Sequence, residues 1–268
     1  MTTLDTTPVP DYRQMIRLDG RQVVIIGGGQ GIGRQAAHAL TQYGARVAIV
    51  GRGREMTEAV AREVDGIALL GDATVRADVE RIFDEANAKL GAVHGIVDTL
   101  GMVRRRAAAE FTDEDLDWQA DIVLRHAILA TQIGAPRIAA AGGGTITFVG
   151  STAGVSWVRN HTVYGAYKAA LHQWVAGAAM ELAPQGIRVN VVTPCVVRTP
   201  RVQKYLDDGR GQKAVNYYPL GRLALPADVA AAILFLSSGL SAYITGQMLL
   251  AEGGLLSQCP MPETVWFE

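Results

Sequence analysis

Seven short runs of apolar, mostly β-branched residues punctuate this chain, at 22–26 (QVVII), 46–50 (RVAIV), 67–70 (IALL), 94–98 (HGIVD), 145–149 (TITFV), 188–193 (RVNVVT) and 247–251 (QMLLA). Longer helix-forming stretches separate them, at 32–43, 55–64, 75–90, 113–140, 163–183 and 226–237. A strand with one wet face alternates apolar and polar residues. These runs do not alternate, which is the pattern of parallel strands covered on both faces. Strand and helix in regular succession predict a doubly wound parallel sheet with helices on both faces, an α/β fold. No repeat, low-complexity tract or linker divides the chain. Residues 13–268 therefore read as a single domain, 1–12 as a flexible arm, and the end CPMPETVWFE as a tail too apolar to be loose.

The balance of 25 basic and 26 acidic residues in a chain that is 49% hydrophobic describes a globular protein with a large core and no bias toward nucleic acid. The N-terminal MTTLDTTPVPDY has no apolar run of the signal-peptide kind, and nothing approaches the ~20 apolar residues that span a bilayer. Cys195 and Cys259 have no metal-ligand spacing, and His38, His94, His126 and His172 read as ordinary helix or surface positions, so no metal is expected. A reduced, cytoplasmic protein follows.

The first strand runs into GGGQGIGRQAAHAL. Glycines at a strand-to-helix junction expose backbone N–H groups beside a helix N-terminus, an arrangement that favours a phosphate. Gly27, Gly31 and Gly33 fit G-x-x-x-G-x-G rather than G-x-G-x-x-G. Farther on, VYGAYKAAL places Tyr164 four residues before Lys168 and Tyr167 next to it. On a helix, residues four apart share a face and neighbours do not, so Tyr164 is the lysine's partner. A nearby ammonium favours the phenolate, which suits a tyrosine to general acid–base work on a carbonyl or alcohol.

Taken together and in order, these segments resemble the classical short-chain dehydrogenase/reductase family over about residues 18–255. Gly27 to Gly33 match its Thr-Gly-x-x-x-Gly-Ile-Gly, with Ile26 for the threonine. Ser151 precedes Tyr164 by the family's usual thirteen residues, Tyr164 and Lys168 match Tyr-x-x-x-Lys, and RVNVVTPCVVRTP and the segment from RLALPADV to AEGG match later motifs. The resemblance implies a Rossmann-like fold and a catalytic set of Ser151, Tyr164 and Lys168. It implies cofactor contacts from Gly27, Gln30, Gly31, Ile32 and Gly33 in the glycine turn. It adds Arg52, Asp72 and Ala73 toward the adenosine, Leu100 and Gly101 after the fourth strand, Pro194, Val197 and Thr199 near the nicotinamide, and Tyr164 and Lys168 themselves. Tyr164 exchanges a proton with the substrate oxygen, Lys168 lowers its pKa and binds the nicotinamide ribose, and Ser151 hydrogen-bonds the same oxygen.

Where an NAD-binding chain carries an acidic residue at the end of the second strand, this one has Gly51 followed by Arg52, so NADP(H) is expected over NAD(H), with Arg54 or Arg34 assisting. The expected reaction is hydride transfer between NADP(H) and a ketone or secondary alcohol, hydrophobic or cyclic. Another reaction on the same scaffold, such as epimerisation or dehydration, is the alternative. A third is cofactor binding without catalysis, because Val123 stands where the family has an asparagine and Asp98-Thr99-Leu100-Gly101 replaces Asn-Asn-Ala-Gly. Arg104–Arg106 and His161 read as solvated loop residues near the substrate entrance. Trp157, Tyr205, Tyr217 and Tyr218 fall in loops that line the cleft in relatives. The apolar helices at 113–140 and 163–183 carry more apolar surface than one sheet face needs, so a homodimer or homotetramer is expected.

Overall fold

A computed structural model describes residues 5–207 and 209–258. The seven expected strands form within a residue or two: β1 (Gln22–Ile26), β2 (Arg46–Gly51), β3 (Ile67–Leu70), β4 (Gly95–Asp98), β5 (Gly144–Val149), β6 (Ile187–Pro194) and β7 (Met248–Ala251). They pair in the order β3-β2-β1-β4-β5-β6-β7, every pair parallel. The apolar runs follow from this: Val23, Val24, Ile25 and Ile26 of β1 are all buried, because successive side chains enter cores on opposite faces.

One core holds Val24 and Ile26 against α4 (Arg76–Leu90), α6 (His126–Ala140) and α7 (Thr162–Leu182). The other holds Val23 and Ile25 against α2 (Gly31–Gln42), α3 (Arg54–Glu63) and α10 (Pro226–Ser237). β1 neighbours β2 on one side and β4 on the other, so the connections leaving their ends diverge and open a crevice at the strands' C-terminal edge. In open α/β sheets that crevice is where ligands bind.

Three features depart from expectation. The stretch 113–140 is α5 (Asp113–Ala120), one π turn over Asp121–Arg125, then α6, which also carries Pro136. In the π turn the His126 N–H reaches back five residues to the Asp121 carbonyl. Two short helices, α8 (Pro200–Leu206) and α9 (Arg210–Val215), form where loops were expected, and α8 lines the crevice through Arg201, Val202 and Tyr205. A further short helix, α1 (Tyr12–Met15), starts where the arm was expected to end, capped by the Asp11 side chain. The tail PETVWFE and Cys259 lie outside the described residues.

Candidate active site

A single cavity of about 670 Å³ occupies the crevice. Its floor is the turn between β1 and α2. Gly27 and Gly31 adopt φ of +78° and +56°, and a Cβ on Gly33 would collide with the Gly27 carbonyl. These positions accept only glycine at no steric cost. Gln30 gives α2 no side-chain cap, so its first N–H groups point into the cavity unsatisfied by the protein's side chains. Backbone donors at a helix N-terminus and a cradle too tight for any Cβ fit the pyrophosphate of a dinucleotide. Arg52 sits at the far rim, 64% exposed and 3.2 Å from Asp72, with no acidic side chain on β2 beside it. Arg34 and Arg54 are bonded to Glu63 and Glu58 instead and do not line the cavity.

At the other end, α7 presents Tyr164 and Lys168 on one face, as four-residue spacing requires, and Tyr167 does not reach the cavity. The Lys168 ammonium is 2% exposed, donates to the Val149 carbonyl at 2.8 Å and lies 5.8 Å from the Tyr164 ring centre. Burial pulls its pKa down to about 8, against the pull of the Asp98 carboxylate. Burial raises that of Tyr164, opposed by the Ser151 hydroxyl. Ser151 sits at the end of β5, its hydroxyl accepting from the Ala153 N–H at 3.2 Å. A proton donor, a cation behind it and a hydroxyl beside it thus converge on one wall. That is the equipment to polarise and protonate a carbonyl oxygen.

The expected catalytic and cofactor residues line this one cavity: Ser151, Tyr164 and Lys168 on the substrate side, and the expected cofactor contacts from Gly27 to Thr199 along its length. Thr199 stands just before α8, without a side-chain capping bond, and its methyl group approaches Gly31, bridging the two ends. The arginine run, expected to be solvated, is split. Arg104 and Arg106 grip the buried Asp115 at 2.5 and 2.6 Å, and Arg105 between them turns into the cavity over the Tyr205 ring. His161, expected in a solvated loop, also lines the cavity, edge-on to Tyr164. Of the cleft aromatics, Tyr205 lines the cavity, Trp157 and Tyr217 are exposed and Tyr218 is buried elsewhere, while Trp118 was not foreseen.

Two histidines read as ordinary positions are not so. His126 is 1% exposed and its Nε2 lies 3.3 Å from Oδ1 of Asp98, itself 1% exposed. His172 lies 3.2 Å from the Thr193 hydroxyl, and burial and the Lys168 charge pull its pKa to about 4. No group of side chains suited to a metal ion occurs among the described residues.

Comparison with known proteins agrees with this architecture. The family profile described as "Enoyl-(Acyl carrier protein) reductase" matches residues 27–256. A tropinone reductase homolog of Arabidopsis thaliana is 32% identical over 244 residues, covering 88% of this chain and 92% of the relative. L-xylulose reductase of Bos taurus is 36% identical over 246 residues, covering 90% and 99%. Among solved structures, a gluconate 5-dehydrogenase from Burkholderia cenocepacia in complex with NADP and tartrate superposes with a TM-score of 0.88 at 27% identity, covering 93% of this chain and all of that one. A 7α-hydroxysteroid dehydrogenase complexed with NADH and 7-oxo glycochenodeoxycholic acid superposes with a TM-score of 0.88 at 28% identity, covering 91% and 98%. The chain belongs to the short-chain dehydrogenase/reductase family of oxidoreductases.

Proposed function

We propose that this protein is a carbonyl reductase or alcohol dehydrogenase that uses NADP(H), with Tyr164 as general acid in reduction and general base in oxidation. The observation that carries this reading is the placement of Tyr164, Lys168 and Ser151 on one wall of the cavity whose floor is the glycine cradle. When bound, the nicotinamide supplies the hydride that adds to the carbonyl carbon. The protein's part is at the oxygen. The Ser151 hydroxyl donates a hydrogen bond to it as negative charge builds, and the Tyr164 hydroxyl delivers the proton that completes the alcohol. The Lys168 ammonium holds the phenolate that remains. Oxidation runs the same transfers in reverse.

Use of a nicotinamide dinucleotide is supported by neighbours solved with NADP and with NADH. The choice of NADP(H) rests on Arg52 and on the absence of a carboxylate at the end of β2. Trp118, Ile122 and Val158 at the substrate end favour an apolar or cyclic body around the carbonyl. Enoyl reduction fits less well, since the relevant relatives space tyrosine and lysine more widely. The non-catalytic reading draws on Val123, which is fully buried and offers no polar group.

Cofactor oxidation against a panel of ketones, with NADPH binding measured in parallel, tests the reading. Turnover of apolar or cyclic ketones is expected. Tight NADPH binding with no ketone reduced would favour the non-catalytic alternative. The protein would work in the cytoplasm as a homodimer or homotetramer. In favour of assembly, the edge strand β7 exposes Met248 and Leu250, Met180 stands out from α7, and the outward face of α7 is otherwise small. No described helix is long and apolar enough to cross a membrane.

A further inference from the structure

Behind the reactive wall lies a second pair of titratable side chains that the proposed chemistry does not use. Asp98 ends β4 and His126 begins α6, and both are 1% exposed. His126 Nδ1 is 3.2 Å from the Asp121 carbonyl oxygen, the one that the π turn also aims at the His126 N–H. Its Nε2 is 3.3 Å from Asp98 Oδ1 and 3.2 Å from Oδ2. Oδ1 also accepts the Leu100 N–H at 2.9 Å, while Oδ2 makes no hydrogen bond.

Both ring nitrogens thus face oxygens. A peptide carbonyl and an ionised carboxylate can only accept, and a neutral imidazole has a single N–H. A neutral His126 beside an ionised Asp98 would press a bare lone pair against an oxygen, out of reach of water. One more proton on the imidazole removes the conflict, because both nitrogens can then donate, to the Asp121 carbonyl and to a carboxylate that stays ionised. The pair is then neutral overall, which is what a dry interior favours.

The Asp98 end of this pair acts on Lys168. Three residues after Asp98, Gly101 passes so close that a Cβ there would stand 3.2 Å from Nζ, and the Asp98 charge favours the ammonium. The other titratable groups around Lys168 are Tyr164 and His172, both on its own helix, and burial with the Lys168 charge keeps His172 neutral. Around His126, the Asp121 side chain is paired with Arg125 and leaves only its carbonyl facing the ring.

We propose that Asp98 and His126 hold one proton between them and that this pair is a positioning element for Lys168, setting how much negative charge stands behind the ammonium. The proposal rests on Lys168 serving Tyr164 as read above. It implies opposite effects for two substitutions that both keep a hydrogen bond. Asp98→Asn removes the carboxylate, so Lys168 should lose its proton at lower pH. His126→Gln leaves the carboxylate without its offsetting proton, so Lys168 should keep its proton to higher pH. Each shift should be on the order of one pH unit.

With only four lysines and five histidines in the chain, both halves can be read by NMR on the NADPH-bound protein without any turnover. The Lys168 Cε resonance, assigned with Lys168→Arg, should titrate at lower pH in Asp98→Asn and at higher pH in His126→Gln than in wild type. The His126 nitrogens, assigned with His126→Gln, should hold the extra proton at pH 7 in wild type and lose it in Asp98→Asn. The pH limb of ketone reduction should move with the lysine. A bare Nε2 on wild-type His126 at pH 7, or a Lys168 titration that moves in the same direction in both variants or in neither, would overturn the proposal. If one variant does not fold, the wild-type histidine spectrum still decides. Absence of ketone reduction would count against the reductase reading alone, because neither resonance depends on it.

Discussion

In the proposed preference for NADP(H) over NAD(H), Arg52 is the deciding side chain. It stands at the cavity rim within 3.2 Å of Asp72, and Arg34 and Arg54, expected as helpers, are committed to Glu63 and Glu58. Arg52→Ala should therefore cost NADPH about ten- to a hundredfold in kcat/KM, the size of one hydrogen bond between charged groups, and leave NADH nearly unaffected. Steady-state kinetics with both cofactors checks this, and a wild type that prefers NADH would contradict it. At this scale the site was only partly legible in the sequence. Tyr164, Lys168 and Ser151 share one short stretch of chain, and helical spacing is enough to pair the first two. Asp98 and His126 are 28 residues apart and meet only because β4 and α6 pack together, so no spacing pointed to them. Arg105 is singled out from its neighbours by Asp115, a tertiary ion pair that the run of three arginines does not announce.

Among the elements, the turn from β1 to α2 and the contact of α7 with β6 each carry a consequence. A Cβ on Gly33 has nowhere to go but into the Gly27 backbone. Gly33→Ala should open the cradle and weaken NADPH binding at least tenfold, readable by fluorescence titration, while far-ultraviolet circular dichroism stays close to wild type. His172 of α7 meets Thr193 of β6 in a site that pulls its pKa to about 4 from the ordinary 6.5. A histidine whose folded pKa is lowered favours folding while neutral. Its contribution is whole above pH about 6.5 and is lost as pH falls toward about 4, where the folded protein must bury a charge that the unfolded chain accepts freely. Urea unfolding of wild type should show stability falling between those pH values, and His172→Gln should show a smaller fall. An equal fall in the two would contradict the account. The inner strands were legible because burial on both faces leaves them nearly unbroken apolar runs, as in β1 and β2. The π turn was not, since 113–140 reads as unbroken helix; it ends at His126, whose ring meets Asp98 of β4. The short helices over 200–215 escaped notice for a related reason: each is brief and contributes little to either core.

For the whole molecule, the two cores on either side of the sheet still leave several large apolar side chains exposed among the described residues. Met248, Leu250 and Met180 are exposed on the β7 edge and the outer face of α7. Light scattering at micromolar concentration should report a dimer or tetramer, and a charged substitution such as Met180→Glu should shift it toward smaller species. A wild-type monomer would contradict that reading. The most direct measurement concerns the wall on which the whole arrangement converges. Tyr164→Phe deletes one hydroxyl and little else, so turnover of any ketone that the wild type reduces should fall by about a hundredfold to ten-thousandfold, with the NADPH dissociation constant unchanged. A Tyr164→Phe protein that keeps full activity would contradict the claim that this tyrosine moves the proton.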